Sequence, residues 1–282
     1  MLNLIGSSHC NKRAFMLIDT HCHLDACDFK KDLDEVVERA RKSDVTKIII
    51  PAINTSNYEA VEGIANRFEG GFFCLGLHPM YLESASIEDL QILESILKEK
   101  NHPKLIGVGE IGLDFFVDSL QSPEQIEKQE YFFLEQLKLA KKYDLAVVLH
   151  VRKSVDRVYK YLNQVGGLRG IAHAFNGSEQ QAQKFVEMGF CLGFGGNITY
   201  DRALKIGRLA KTLPLQNIVI ETDSPDIAPS WIYKQRNEPY HLRKIAEVLA
   251  DIREITLEEL AEATSANAAR VFNCPQLRHY VH

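Results

Sequence analysis

Two histidines separated by one residue, His21 and His23, follow a short apolar run near the start of the chain. Side chains at positions i and i+2 of an extended strand point to the same face, so both imidazole rings can reach one metal ion. Neutral imidazole is the commonest metal-binding side chain, but two rings alone do not complete a divalent metal site. The pair is weak evidence by itself, and it predicts a metal site only if other ligands join it.

Further potential ligands recur at one place in the sequence pattern, the end of a short apolar run. The residues found there are His78, Glu110, His150, His173 and Asp223. Each histidine taken singly has an ordinary alternative as a satisfied core residue. A carboxylate directed into an apolar interior is costly unless it is paired or metal-bound, so Glu110 and Asp223 are harder to explain without a cation. Together with the first two histidines, four of these residues suit a dinuclear metal site, and His78 is left for substrate.

The elements that position these residues are short strands alternating with helices. The predicted strands are 17–23, 46–51, 72–77, 104–110, 145–150, 170–174, 190–195 and 217–223, and the predicted helices are 33–42, 58–68, 87–100, 123–143, 155–164, 180–188, 202–211, 241–252 and 257–272. Such alternation predicts an α/β protein with a parallel sheet covered by helices, and eight units fit a closed (β/α)8 TIM barrel. The alternative is a doubly wound open sheet, whose glycine-rich fingerprint after the first strand is missing.

Composition limits the class of protein. The chain has 282 residues, of which 45% are hydrophobic and 25% charged, and its net charge of −5 argues against nucleic-acid binding through bulk positive charge. Its six cysteines form no C-x-x-C pair, and no run of about 18 apolar residues exists. We expect a cytoplasmic protein with one barrel domain at 16–275, an N-terminal extension at 1–15 and a C-terminal tail at 276–282. Nothing indicates a membrane or an obligate protein partner.

Six motif blocks resemble those of the TatD family of metal-dependent hydrolases, in the same order and spacing. They are D-T-H-C-H at 19–23, G-L-H-P at 76–79, G-E-I-G-L-D at 109–114, H-V-R at 150–152, H-A-F-N-G-S at 173–178 and E-T-D-S-P at 221–225. The similarity covers about 16–275, and Val151 with the segment 195–200 is most similar to the YjjV-like branch. The resemblance implies the TIM barrel of metal-dependent hydrolases.

The same resemblance implies a ligand set and an activity. His21, His23, Glu110 and Asp223 would hold one divalent ion, and Glu110, His150 and His173 the second, with Glu110 bridging. The ions would be Mg²⁺, Mn²⁺ or Zn²⁺, and the activity that of a deoxyribonuclease, often acting from a 3′ end. Phe115-Phe116 replaces a tyrosine common in the family, and Asn176 departs from its usual block, which affects substrate contacts more than metal binding.

Roles follow from the chemistry of each side chain. Two metal ions would activate water for attack on a phosphoryl or carbonyl group, with Asp223 as the general base. His78 would hydrogen-bond a non-bridging oxygen, and Arg152 would offer the paired donors that suit phosphate. Arg236 and Asn237, after the eighth strand, would add substrate contacts. For the two arginines, the alternative is a solvated or ion-paired position in a loop.

Three functions are compatible with this ligand set. The first is a nuclease with DNA as substrate, or RNA in its place. The second is a hydrolase of another bond, such as an amide or the ester of a mischarged D-aminoacyl-tRNA, because the same centre can activate water against a carbonyl carbon. The third is a non-enzymatic scaffold braced by metal. A structural zinc site needs four ligands and no open position, which makes the third less favoured.

Overall fold

The computed structural model describes residues 15–99 and 102–278. Its parallel sheet has eight strands in sequential order, each paired with the next along the chain. The strands are β1 (Leu17–Asp19), β2 (Val45–Pro51), β3 (Gly71–Leu75), β4 (Leu105–Asp114), β5 (Ala146–Arg152), β6 (Gly170–Ala172), β7 (Cys191–Phe194) and β8 (Ile218–Ile220). The predicted (β/α)8 barrel is confirmed. The proposed extension at 1–15 lies outside the described residues except for Phe15, and the proposed tail at 276–282 lies outside them except for 276–278.

Helices cover the outside of this sheet. They are α1 (Leu33–Lys42), α2 (Tyr58–Asn66), α3 (Ile87–Glu99), α4 (Pro123–Lys142), α5 (Val155–Val165), α6 (Glu179–Glu187), α7 (Leu204–Thr212), α8 (Leu242–Arg253) and α9 (Leu257–Val271). Helix α9 begins with the capping box that its sequence predicts, in which Thr256 accepts a hydrogen bond from Glu259 N and the glutamate side chain reaches back. Among the described residues, no helix combines the length and apolar character needed to cross a membrane.

The barrel closes where β8 meets β1. The amide and hydroxyl of Thr20 both donate to the carbonyl of Ile220, at 3.1 and 3.0 Å. Just above, His23 N donates to Ser224 O, and Cys22 forms a parallel bridge with Ser224. These bonds lie past the end of β1 and at or past the last residue of β8. They therefore bring the segment after β8 directly against the two histidines that follow β1.

The barrel interior is filled by apolar side chains from all eight strands. These side chains form one buried cluster with residues of α9 and the segment after it, and its strand members include Ile18, Ile49, Cys74, Ile106, Val148, Ile171, Cys191 and Val219. This packing fixes the position of each strand along the barrel axis. It therefore also positions the residues at the mouth of the barrel.

Two strands are longer than their sequence predicts. Strand β4 continues four residues past Glu110 to Asp114, and β5 continues past His150 to Arg152. The register between these strands shifts between Val108 and Ile111, so the segment containing Glu110 is not paired in the regular ladder. Glu110 and His150 therefore lie within extended strands rather than at their ends. The added pairing, Gly112 with His150 and Asp114 with Arg152, stabilises this side of the mouth.

Candidate metal centre

The carboxylate of Glu110 lies at the centre of the barrel mouth. The side chain is 2% exposed, and five histidines surround it. Burial by itself would raise the pKa of this carboxyl, but His78, His173 and His21 outweigh burial and hold the pKa of Glu110 well below its usual range. Glu110 is therefore an anion at neutral pH.

One oxygen of Glu110 faces the histidines that follow β1. Glu110 Oε2 lies 3.2 Å from His21 Nε2 and 3.4 Å from His23 Nε2. Asp223 Oδ1 lies 3.5 and 3.7 Å from the same two nitrogens. The two ring nitrogens lie 3.2 Å from each other, beside the carboxylates of Glu110 and Asp223. Such a set of nitrogen and oxygen atoms can bind a divalent cation.

The other oxygen of Glu110 faces histidines from β5 and the segment after β6. Glu110 Oε1 lies 2.8 Å from His150 Nδ1 and 2.9 Å from His173 Nε2. These two ring nitrogens are themselves 3.5 Å apart. The rings of His21 and His173 stack with centroids 4.0 Å apart, so the two halves of the cluster are in contact. All six residues that the sequence predicts as ligands thus meet in one cluster, with Glu110 at its centre.

Ionisation within this cluster follows from burial and from the paired carboxylates. Burial raises the pKa of Asp223 to about 6, although His173 and His23 oppose the rise. Burial would lower the pKa of His23, but Glu110 and Asp223 raise it to about 9. Without metal, protons on the histidines therefore balance the carboxylates. A bound cation would take the place of those protons, because metal ligands must be deprotonated.

His78 also lies against Glu110, at a distance of 3.2 Å from Nε2 to Oε1. The backbone N–H of Met80 donates to His78 Nδ1 at 3.1 Å, and burial lowers the pKa of this histidine to about 4. The ring is therefore neutral, and its single proton is on Nε2. His78 can donate a hydrogen bond into the site, but in this arrangement it offers no lone pair to a metal ion.

The loop that carries Asp223 is held from both sides. Asp223 has a left-handed backbone conformation, with φ of 54°, and its N–H donates to His21 O at 2.8 Å. Asn237 is fully buried, and its amide donates to Thr222 O and Asp226 O at 2.9 and 3.0 Å. The predicted substrate contact of Asn237 is therefore wrong, since its amide is used to fix the loop.

The two predicted arginines differ in their surroundings. The Arg152 side chain is 48% exposed, and its guanidinium lies 3.9 Å from the centroid of the Phe116 ring, so its donors remain available at the mouth. Arg236 donates to Asp32 and to the carbonyl of Asp28 at 2.7 Å, and to Glu238 at 2.5 Å. These bonds agree with the ion-paired alternative for Arg236, and a substrate contact there stays a prediction.

Two carboxylates that the sequence analysis did not single out contact the outer nitrogens of the histidines. Asp114 Oδ2 lies 2.9 Å from His150 Nε2, and Glu221 Oε1 lies 3.7 Å from His173 Nδ1. Partners of this type orient metal-binding imidazoles. The spacing could have indicated Asp114, because positions four apart on a strand share a face and Asp114 follows Glu110 by four.

A barrel with a buried histidine–carboxylate cluster at its mouth is the arrangement typical of a metal-dependent hydrolase. The model of the TatD related DNase family matches residues 18–273, so the chain belongs to that family. The uncharacterized metal-dependent hydrolase YjjV of Escherichia coli K12 is 40% identical over 92% of this chain and 98% of its own. The human deoxyribonuclease TATDN3 is 35% identical over 93% and 96%.

A solved structure agrees with these sequence matches. The crystal structure of the Escherichia coli YjjV protein, a TatD homologue, superposes with a TM-score of 0.87 at 38% identity, covering 92% of this chain and 99% of that one. The predicted resemblance to the TatD family and to its YjjV-like branch is therefore confirmed. The motif blocks that carried it are the segments that build the cluster around Glu110.

Proposed function

We propose that this protein is a deoxyribonuclease that hydrolyses phosphodiester bonds with two divalent metal ions. One observation carries the proposal: the two oxygens of Glu110 face two separate sets of ligands, as a bridging carboxylate requires. His21, His23 and Asp223 would hold the first ion with Glu110, and His150 and His173 the second. The name of the human relative, a deoxyribonuclease, supports DNA as the substrate.

The metal ions would supply Lewis-acid activation of water and of the phosphoryl oxygen when bound. This donor set accepts Mg²⁺, Mn²⁺ or Zn²⁺, and availability also decides among them. Asp223 is the proposed general base. Its side chain is 14% exposed, so its carboxylate can reach a water molecule at the mouth while it contacts His21 and His23.

Two further side chains are placed to act on the substrate. His78 can turn the hydrogen bond of its Nε2–H from Glu110 to a non-bridging phosphate oxygen, while Met80 N continues to donate to Nδ1 of the ring. The exposed guanidinium of Arg152 can bind a phosphate through paired donors. We assign Arg152 to the phosphate that flanks the scissile bond.

Two finer features belong to the same proposal. We propose removal of nucleotides from the 3′ end of DNA, by analogy with the family. We also propose a reducing cytoplasmic setting, since Cys22, Cys27, Cys74, Cys191 and Cys274 are all free.

The decisive experiment is an assay of metal-stripped and metal-restored protein on 3′-labelled single-stranded DNA. Release of nucleotides should require added Mg²⁺, Mn²⁺ or Zn²⁺. Asp223→Asn should reduce release by about 10²- to 10⁴-fold, the usual contribution of a general base. Asp226→Asn is the matched control, because Asp226 is exposed in the same loop and should leave release unchanged.

The other outcomes separate the competing functions. If two metal ions bind but none supports release from DNA, the ester of a D-aminoacyl-tRNA is the next substrate to test. If Asp223→Asn changes no measurable hydrolysis of any substrate, a role of the metals as a structural brace replaces the proposal.

A further inference from the structure

We infer that Asp114 is a positioning residue that decides which ring nitrogen of His150 faces the metal centre. The inference rests on the proposed role of His150 as a metal ligand. His150 lies between two carboxylates, with Nδ1 2.8 Å from Glu110 Oε1 and Nε2 2.9 Å from Asp114 Oδ2. Glu110 is on the metal side of the ring, and Asp114 is on the outer side.

The Asp114 carboxylate is itself held rigidly. Its side chain is fully buried, and Oδ1 accepts hydrogen bonds from Phe116 N at 2.8 Å and Val117 N at 3.2 Å. The backbone N–H of Asp114 donates to the buried Gln129 side chain at 2.8 Å. With Oδ1 fixed by the turn, only Oδ2 can face His150.

Oδ2 of Asp114 has one close donor among the residues that the structure describes, the ring nitrogen Nε2 of His150. The nearest cationic atom, Arg152 Nη1, is 3.9 Å away, which is beyond hydrogen-bond distance. An ionised carboxylate is an acceptor without a proton to donate. Asp114 therefore binds the Nε2–H form of His150.

The consequence lies on the opposite side of the ring. A neutral imidazole carries one proton, so a proton on Nε2 leaves the lone pair of Nδ1 free to face the metal side. If the proton were on Nδ1, that lone pair would be lost to the metal. Asp114 therefore selects the metal-binding form of His150 without reaching the metal itself.

Asp114→Asn tests this inference with little change in shape. The amide oxygen can still accept from Phe116 N and Val117 N, which keeps the turn. The amide NH₂ then faces His150 Nε2 and donates to it, which moves the proton of the ring to Nδ1. We expect the apparent Kd for Zn²⁺ at the site formed by Glu110, His150 and His173, measured by equilibrium dialysis and metal analysis, to rise about 10- to 100-fold. Asp118→Asn, the same change in the same loop, should leave this Kd unchanged.

His150→Ala separates this inference from the proposed function. If His150→Ala removes one Zn²⁺ and Asp114→Asn binds as the wild type does, the inference is wrong and the metal assignment stands. If His150→Ala itself retains both ions, the metal assignment is wrong. Because Asp114 acts through His150, a variant with both Asp114→Asn and His150→Ala should bind Zn²⁺ no more weakly than His150→Ala alone.

A measurement on the unaltered protein covers the case in which Asp114→Asn does not fold. In a ¹⁵N–¹H correlation spectrum of the Zn²⁺-loaded wild type, His150 should show a protonated Nε2 and a metal-bound Nδ1. The signal is identified by its loss in His150→Ala. A protonated Nδ1 with Nε2 bound to Zn²⁺ would overturn the inference.

Discussion

Glu110 Oε1 lies 2.8 Å from His150 Nδ1, while the other oxygen of the same carboxylate lies 3.2 Å from His21 Nε2. One side chain thus joins predicted ligands that are 129 positions apart in the chain, from β5 and from the segment after β1. A carboxylate can bridge two cations in this way because it has two oxygens with about four lone-pair sites.

Replacement of Glu110 tests this bridge. Glu110→Gln leaves one oxygen and adds an NH₂ group that does not bind metal, so at most one half of the cluster keeps an oxygen ligand from position 110. We expect the Zn²⁺ content after dialysis to fall from two ions to one or fewer per chain, measured by metal analysis. Glu127→Gln, an exposed position on α4, serves as control. Retention of both ions in Glu110→Gln would contradict a bridging role.

Arg152 should affect binding of the substrate more than its turnover. Arg152→Gln removes the charge and the paired donors while it keeps a polar side chain, so we expect KM for DNA to rise about tenfold with kcat nearly unchanged. Added salt should narrow the difference from the wild type because the contact is exposed. Lys153→Gln is the neighbouring control. If Arg152→Gln and the wild type have equal KM and equal kcat, Arg152 does not bind the substrate.

Gly193 on β7 provides space for the buried Glu221 carboxylate. A Cβ atom at Gly193 would lie within van der Waals overlap of Glu221 Oε2, and Glu221 cannot move away easily because its Oε1 accepts from Ala174 N. We expect Gly193→Ala to lower the free energy of unfolding by about 1–3 kcal/mol, as overpacking does. Urea denaturation of the variant and the wild type measures this change in the free energy of unfolding.

The control for this substitution is Gly207→Ala. Gly207 lies in α7, where a Cβ atom would meet open space, so alanine should raise the free energy of unfolding by about 0.5–1 kcal/mol. If both variants shift the free energy of unfolding in the same direction, Gly193 is not needed to provide space for Glu221.

Asp32 should contribute stability that disappears in acid. Hydrogen bonds from Arg236 at 2.7 Å and Arg39 at 3.1 Å lower the pKa of Asp32 from 3.8 to about 2, with Arg236 the larger influence. Because the folded pKa lies below the unfolded one, the stabilisation is complete above about pH 4 and is lost as pH falls toward 2.

Asp32→Asn exposes that dependence. We expect the variant to have a lower urea midpoint than the wild type at pH 7 and a smaller difference at pH 3. Glu35→Gln, an exposed change on the helix that follows Asp32, should show no such pH dependence. A difference that stays constant between pH 7 and pH 3 would mean that the ion pairs with Arg236 and Arg39 do not stabilise the fold.

The sequence by itself determined the barrel and the six predicted ligands. Apolar runs of strand length report burial, and ligands that end successive runs must meet because the carboxyl ends of parallel strands share one edge. That reasoning needs only the order of residues along the chain. It predicted that His21, His23, Glu110, His150 and His173 meet at one mouth of the barrel, and the resemblance to the TatD family implied that Glu110 lies between the others.

The tertiary structure alone decided the partners of each polar atom. Four features depend on groups from other elements: the length of β4, the contact between Asp114 and His150, the proton on Nε2 of His78 and the ion pairs of Arg236. Hydrogen bonds and ion pairs act over about 3 Å and depend on direction, so they are set by packing. Hydrophobic periodicity is a local property of the chain and carries no information about them.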